Sequence, residues 1–435
     1  MQTYDEGWYK RFRRIGSFQA YEYYVDSLKK LDRARRAFFV DRENPTLEYP
    51  KLEFLQVGRI MSHLTRLRND IYKNECNEVV RLAYLPKIDE KLSELRLLEA
   101  TKKNDMDSFL KETKILYGYP DRSIFNNSLH QLRELIHVLK NKRNDFGLMY
   151  DLINFSSAEK DQSTIPNYVF DIVANDTVDL MRNLYANEKR KDFYESQDML
   201  ELFSDALLQL GSNEWFVHVN KNSSSSAISA NQEERIVTIP KKRSVSHDKL
   251  MGLIVHEIGT HVSRAVMGER SPLKLLGLGL NKYEKGEEGV ATIREEIFSS
   301  NIKNYSRADS HMMIGLVLGY DGKRRDFSEL FEIACLLLRI RNKQSNSPMG
   351  TMKIKKLAWN RCVRIFRGTD CKTKGICFTK DSIYERGNRE VWQELVNNPY
   401  EIKRLNRGKY DPANKDHQHI ITMLDNPNNL GINII

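Results

Sequence analysis

Apolar residues recur at helical spacing through most of the first part of the chain. Between Phe18 and Phe39 they return every three or four positions, which predicts an amphipathic helix with one buried face. We therefore expect a helical N-terminal region over residues 1–165. The same spacing predicts further helices here and later in the chain, over Val57–Asn74, Asn77–Leu98, Met106–Tyr117, Ser128–Asn141, Asp309–Tyr320 and Phe327–Asn342.

Two short segments in the middle of the chain have the composition of β-strands. Trp215–Asn220 and Arg235–Ile239 are rich in β-branched and aromatic residues, and Ser223–Ser226 has the composition of a turn between them. We predict a small antiparallel pair in which Arg235–Ile239 is the exposed edge. The expected fold class is α+β, predominantly α-helical, with residues 166–435 forming a second domain.

The densest chemistry lies at residues 256–261, which read His-Glu-Ile-Gly-Thr-His. Two imidazoles and a carboxylate this close together can provide two metal ligands and a base, as a zinc hydrolase needs. The usual spacing is H-E-x-x-H, with both histidines on one helical face. One extra residue here rotates the second histidine by about 140° on an ideal helix. Both can meet one ion if a π-bulge absorbs that residue, and Gly259 supplies a permissive backbone inside it.

A third ligand is visible in Glu287-Glu-Gly-Val-Ala291, at the start of another predicted helix. Two histidines and one glutamate leave the fourth zinc position open, the catalytic arrangement. Glu288 is preferred because it directly precedes Gly-x-Ala, the usual position of the ligand in glutamate zincins. Glu287 instead suits the first helical turn as a dipole-complementing surface charge. The predicted site is one Zn²⁺ ion with a general base, formed by His256, His261, Glu288 and Glu257.

Composition narrows the class of protein. The five cysteines lack disulfide or metal-binding spacing, which indicates free thiols in a reducing compartment. The N-terminal residues lack the basic and apolar segments of a signal peptide, and no apolar run approaches the ~18 residues that span a membrane. We therefore expect a cytoplasmic protein without a signal peptide or a membrane partner. The net charge of +10 favours acidic partners or reflects a solvated lysine surplus. No nucleic-acid-binding signature is present, so an acidic polypeptide is the expected partner.

Further short landmarks occur in a fixed order over roughly residues 40–400. They are Asn44-Pro-x-Leu-x-Tyr-Pro50, Tyr117-Gly-Tyr-Pro-Asp121, the metal motif with Arg264, Glu287-Glu-Gly-x-Ala291, Arg364-Ile-x-Arg-Gly368 and Lys380-Asp-x-x-Tyr384. Together they resemble the microtubule-associated tyrosine carboxypeptidase (MATCAP) family of zinc metallopeptidases. The lysine- and asparagine-rich chain looks most like a prokaryotic relative.

The resemblance implies a zincin-like metallopeptidase domain after the helical region, and removal of a C-terminal residue from a protein or peptide. In the eukaryotic members that residue is the tyrosine of α-tubulin. Tubulin enters here only through the resemblance, since no dedicated microtubule-binding segment is visible. On matching positions the ligands fall on His256, His261 and Glu288, and the base on Glu257.

The rest of the mechanism needs an oxyanion donor and an anchor for the terminal carboxylate. Tyr384 or Arg367 is the expected donor. The arginine fork suits a carboxylate, so the candidate anchors are Arg264, Arg364, Arg367 and Lys380. A zinc endopeptidase or aminopeptidase needs no such anchor and is one alternative. A basic binding or regulatory protein with a structural metal site is the other.

Overall fold

The computed structural model describes residues 3–24, 28–140, 147–161, 164–185, 190–220, 227–298, 305–343 and 348–426. Helices dominate these ranges, and the strands within them form two small sheets, one antiparallel and one mixed. The fold is therefore α+β and predominantly α-helical, as the hydrophobic pattern predicted.

The N-terminal part of the described chain is helical. The predicted helix over Phe18–Phe39 does not hold at its start, because Ala20–Tyr23 forms a 3₁₀ turn; Leu28–Asp41 is α-helical, as predicted. The helices are α1 (Glu6–Gly16), α2 (Leu28–Asp41), α3 (Pro50–Glu53), α4 (Val57–Asn74), α5 (Glu78–Lys103), α6 (Met106–Tyr117), α7 (Arg122–Lys140), α8 (Leu148–Leu152) and α9 (Asn167–Leu184).

The five strands follow α9 in the sequence, with one further helix between the first and second strands. They are β1 (Phe193–Glu195), β2 (Phe216–Asn220), β3 (Ser229–Asn231), β4 (Ile236–Pro240) and β5 (Ser244–Ser246), with α10 (Ser196–Gln209) after β1. β1 and β5 pair antiparallel, whereas the three-stranded sheet has the order β2-β4-β3.

The predicted arrangement of the central strands is wrong in two respects. β2 and β4 pair in parallel, with Phe216 opposite Ile236, and β4 lies at the centre of its sheet and not at the edge. The hairpin is instead β3–β4, closed by a turn in which the Asn231 side chain accepts hydrogen bonds from the backbone amides two and three residues later. The predicted turn at Ser223–Ser226 lies outside the described residues.

The C-terminal part returns to helix. It consists of α11 (His247–His256), a π-helical segment (Glu257–Val262), α12 (Ser263–Glu269), α13 (Leu275–Leu278), α14 (Glu284–Ile297), α15 (Tyr305–Val317), α16 (Phe327–Asn342), α17 (Thr351–Phe366), α18 (Ile383–Asn397) and α19 (Lys415–Asp425), with 3₁₀ turns at Thr379–Ser382 and Pro399–Arg404.

Apolar clusters join the N-terminal helices to the rest of the chain. Phe38 packs with Phe327 and Trp359, and Phe12 belongs to a cluster that also contains Tyr410. The N-terminal helices therefore share buried cores with the part of the chain that carries the metal motif.

Two expectations from composition concern the cysteines and the membrane. All five cysteines are free thiols, as predicted; four are buried and Cys76 is exposed. Among the described helices, none combines the length and the apolar character that crossing a bilayer requires.

Candidate metal centre

The histidine motif adopts the distortion that its spacing requires. Glu257–Val262 is a π-helix inserted between α11 and α12, which confirms the predicted π-bulge. As a result the rings of His256 and His261 face the same site, with centroids 5.0 Å apart. The absence of a side chain at Gly259 allows α9 to pack closely against this segment, since a Cβ would lie 3.2 Å from Leu180 and Leu184 of α9.

Three side chains converge at one point. Nε2 of His256 lies 3.9 Å from Oε2 of Glu288, and Nε2 of His261 lies 4.0 Å from the same oxygen. One ligand atom from each residue falls within 4.8 Å of the others, and no second cluster of this kind occurs within the described ranges. The structure thus brings together the three predicted ligands, and Glu288 rather than Glu287 faces both Nε2 atoms.

The other nitrogen of each ring faces a carboxylate. Nδ1 of His256 lies 3.0 Å from Glu295, and Nδ1 of His261 lies 3.1 Å from Glu287. Such contacts orient an imidazole so that its free Nε2 points at a metal. Burial acts to lower the pKa of His256, but the carboxylates of Glu295, Glu257 and Glu288 outweigh it and raise this pKa to about 9.

Glu287 is the centre of a buried charge network. Its second oxygen accepts a 2.6 Å hydrogen bond from Arg264, and Nζ of Lys409 lies 3.7 Å from the first. Burial acts to raise the pKa of Glu287, but Arg264, Lys409 and His261 hold it at about 2. Arg264 is fully buried, and it also donates to the backbone oxygen of Tyr410. Its position therefore matches a structural ion pair and not the predicted contact with substrate.

Arg294 supports the π-helical segment from α14. A π-helix displaces backbone carbonyls from the regular α-helical ladder. Nη1 of Arg294 donates to the Gly259 carbonyl oxygen at 3.0 Å and reaches Oδ1 of Asn406 at 3.1 Å. Within the π-segment, Oγ1 of Thr260 donates to the Val255 carbonyl oxygen at 2.9 Å. These bonds satisfy polar groups at the bulge and hold the two histidines in place.

A cavity of about 800 Å³ opens over the cluster. Glu257 lies in its wall beside the predicted ligands and is only 5% exposed. Burial raises the pKa of its carboxyl group, while the two neighbouring imidazoles act to lower it. A carboxylate with a raised pKa, next to three candidate metal ligands in a cavity, has the position expected of a general base.

Close approach of two helices brings Tyr384 to the cluster. A Cβ on Gly289 of α14 would lie 2.5 Å from the Gly387 carbonyl oxygen of α18, so the two backbones touch only because both residues are glycine. Tyr384 lies one turn before Gly387 and lines the cavity. The charge of Glu288 is the largest cause that raises the pKa of Tyr384, which keeps the phenol protonated.

The remaining predicted substrate residues form a basic wall of the same cavity, defined by Arg364, Arg367 and Lys380. Both arginines contact Asp381, at 2.8 Å and 3.5 Å, and Lys380 is paired with Glu284. Three cations against two carboxylates leave a surplus of one positive charge on this wall. The side chain of Arg364 is 56% exposed, so its guanidinium is accessible from the cavity.

The edge strand beside the metal motif is β3. Residues 227–233, which contain β3, line the cavity. β4, the predicted edge, is covered on one side by β2 and on the other by β3. An accessible backbone edge at this place therefore comes from Ser229–Asn231, a segment without a β-rich composition.

Sequence reasoning missed several residues of the site. Glu295 lies seven residues after Glu288 and so on the same face of α14, a signal that helical periodicity could have supplied. Lys409, Arg294 and Tyr21, which also lines the cavity, carry no local signal. Their roles depend on contacts between distant parts of the chain.

Comparison with known proteins identifies a family that is similar to the segment containing the three candidate ligands. A family model described as microtubule-associated tyrosine carboxypeptidase matches residues 155–335. That segment contains α11, the π-helical segment and α14, hence all three residues of the cluster, and it ends before the basic wall and Tyr384. No curated protein matches the chain. The match supports the predicted relationship: over residues 155–335 this chain is similar to the microtubule-associated tyrosine carboxypeptidase family.

Proposed function

We propose that the protein is a zinc-dependent metallocarboxypeptidase that hydrolyses the last peptide bond of a protein or peptide. The observation that carries this proposal is the cavity itself. It joins a three-ligand cluster, a buried carboxylate base and a wall with surplus positive charge. The name of the related family adds support for carboxypeptidase chemistry.

The donor set fits one Zn²⁺ ion. Two imidazole nitrogens and a carboxylate oxygen are the ligands of catalytic zinc sites, and three protein ligands leave one position for water or substrate. The Nδ1 contacts with Glu287 and Glu295 leave both Nε2 atoms directed at the cluster. His256, His261 and Glu288 would hold the ion. When bound, zinc supplies Lewis acidity that activates water and polarises a peptide carbonyl at neutral pH.

The chain's own residues perform the proton transfers and orient the substrate. Glu257 accepts a proton from the attacking water and delivers it to the leaving amine. Its burial favours this exchange, because a raised carboxyl pKa makes the group a better base. The protonated phenol of Tyr384 donates a hydrogen bond to the oxyanion that develops from the carbonyl.

The basic wall favours a C-terminal over an internal bond. The terminal carboxylate of a substrate meets Arg364 and Arg367 there, and the guanidinium fork matches its geometry. The exposed backbone of β3 pairs with the preceding residues by strand addition. An acidic tail that ends in tyrosine or another aromatic residue suits the net charge of the chain and the name of the related family.

The test is to incubate zinc-loaded protein with acidic peptides that end in different residues and to follow their masses. Loss of one C-terminal residue, absent in Glu257→Gln and after chelation, is the expected result. Peptides with an amidated C-terminus should resist cleavage, since they lack the charge that the basic wall binds. Internal cuts or loss of N-terminal residues would reject the carboxypeptidase assignment. Cleavage that persists in Glu257→Gln would reject the mechanism.

A further inference from the structure

The N-terminal 3₁₀ turn forms part of the cavity wall. Gln19, Tyr21 and Glu22 line the cavity, although they lie more than 200 residues before the metal motif. Across the turn, the Glu22 side chain accepts a hydrogen bond from the Gln19 backbone amide at 3.4 Å. The cavity is therefore completed by a segment that lies far outside the matched part of the family model.

A buried ion pair on α5 fixes the backbone of this turn. Nζ of Lys91 donates to the Phe18 carbonyl oxygen at 2.5 Å, and Glu94 accepts from the Ala20 amide at 2.7 Å. Lys91 and Glu94 also contact each other at 2.8 Å, and both are almost fully buried. Because the backbone is held on both sides of Gln19, the position of Tyr21 is well defined.

Tyr21 lines the cavity and packs against the basic wall. Its ring is 4.5 Å from Nζ of Lys380 and 5.8 Å from Cζ of Arg367. Burial raises the pKa of the Tyr21 hydroxyl above its ordinary value, and the charges of Glu284 and Glu288 raise it further. The phenol therefore stays protonated. Among the described residues the hydroxyl has no hydrogen-bond partner, so it is a free donor at the cavity surface.

We propose that Tyr21 is a substrate-binding residue whose hydroxyl donates a hydrogen bond to the terminal carboxylate of a peptide held on the basic wall beside Arg367. The ligand class is an anionic peptide with a free C-terminus. This inference rests on the proposed function, because it assigns the terminal residue of the substrate to the basic wall. It also gives the N-terminal segment a role in recognition.

The test measures binding without turnover, in zinc-loaded Glu257→Gln protein. Calorimetry compares an acidic peptide ending in tyrosine with the same peptide amidated at its C-terminus. Adding Tyr21→Phe removes one hydroxyl and should weaken binding of the free acid at least about tenfold, the value of a hydrogen bond to a charged group. Binding of the amide should change less than about twofold, because its interaction with the wall is already lost.

Tyr23→Phe is the matched control. Tyr23 lies on the same 3₁₀ turn but does not line the cavity, so its substitution should leave both affinities unchanged. Zinc content and melting temperature should be the same in all variants. Equal weakening of acid and amide by Tyr21→Phe would show a packing role and overturn the proposal, as would no weakening or no binding of either peptide.

The two proposals fail in different ways. If the wild type cleaves no peptide while binding still depends on Tyr21 and the free carboxylate, the catalytic assignment falls and the binding site stands. If the wild type removes C-terminal residues and Tyr21→Phe has no selective effect, the catalytic assignment stands and the role of Tyr21 falls.

Discussion

The two carboxylates that contact the histidine rings provide a paired test of the site. Glu287→Gln and Glu295→Gln each remove the negative charge facing one Nδ1 atom, at 3.1 Å and 3.0 Å. Losing such a partner typically lowers metal affinity about 10–100-fold. We therefore expect similar losses of zinc affinity in the two variants, since each leaves one imidazole poorly oriented.

Their effects on stability should differ, because their other partners differ. Glu287 is 4% exposed and also neutralises Arg264, which is fully buried. Glu295 instead pairs with Lys249, whose side chain is 44% exposed. Leaving a buried charge unpaired costs about 3–5 kcal/mol, whereas losing a partly exposed pair costs about 1 kcal/mol or less. The free energy of unfolding of the zinc-loaded protein should thus fall far more in Glu287→Gln.

The pH dependence gives an internal check. The pKa of Glu287 is about 2 in the folded protein, below the ordinary value of 4.5. A lowered carboxyl pKa contributes stability that is present above 4.5 and is lost as pH falls towards 2. The stability difference between zinc-free wild type and zinc-free Glu287→Gln should therefore shrink over this interval, because both then carry a neutral side chain.

Denaturant unfolding of both variants and a competition titration with a zinc chelator measure these quantities. Zinc-free protein serves as the reference for each variant. Equal stability of the two variants would refute the assignment of Glu287 to a buried charge network. Unchanged zinc affinity in both would refute the claim that these carboxylates orient the ligands.

Three further outcomes test neighbouring parts of the site. Glu288→Gln should release the ion on dialysis, and retention of one zinc per chain by elemental analysis would exclude Glu288 as a ligand. Arg294→Met leaves the buried Gly259 carbonyl without its donor and should lower the free energy of unfolding by about 1–3 kcal/mol; an unchanged denaturation midpoint would contradict that support. Because the pKa of His256 is about 9 without metal, a proton must leave when zinc binds. Zinc affinity, measured by competition titration, should therefore rise up to about tenfold per pH unit below 9, and a flat profile from pH 7 to 8 would disprove the proton competition.

The bounds of several helices could be predicted from the sequence. Val57–Asn74, Met106–Tyr117 and Phe327–Asn342 are helices with the predicted bounds, because long amphipathic patterns have one low-energy conformation. The π-helical distortion of the histidine motif could also be predicted, from the spacing of its two histidines. One extra residue between two ligands on a helix can be absorbed only by a local change in helical pitch, and the π-helix over Glu257–Val262 is that change.

Interactions between distant segments were decided by the tertiary structure. Strand composition cannot distinguish a central from an edge strand. It predicts Arg235–Ile239 as the edge, whereas this strand is central and the edge that lines the cavity is Ser229–Asn231. Arg264 and Arg364 are the same residue type, yet burial beside Glu287 withdraws one from the cavity and leaves the other accessible. The sequence by itself determined which residues could bind a metal and which segments are helical, because both follow from short-range spacing. Only the tertiary structure decided which charged side chains face the cavity and that Tyr21 lines it. Both features depend on contacts between residues that are hundreds of positions apart in the sequence.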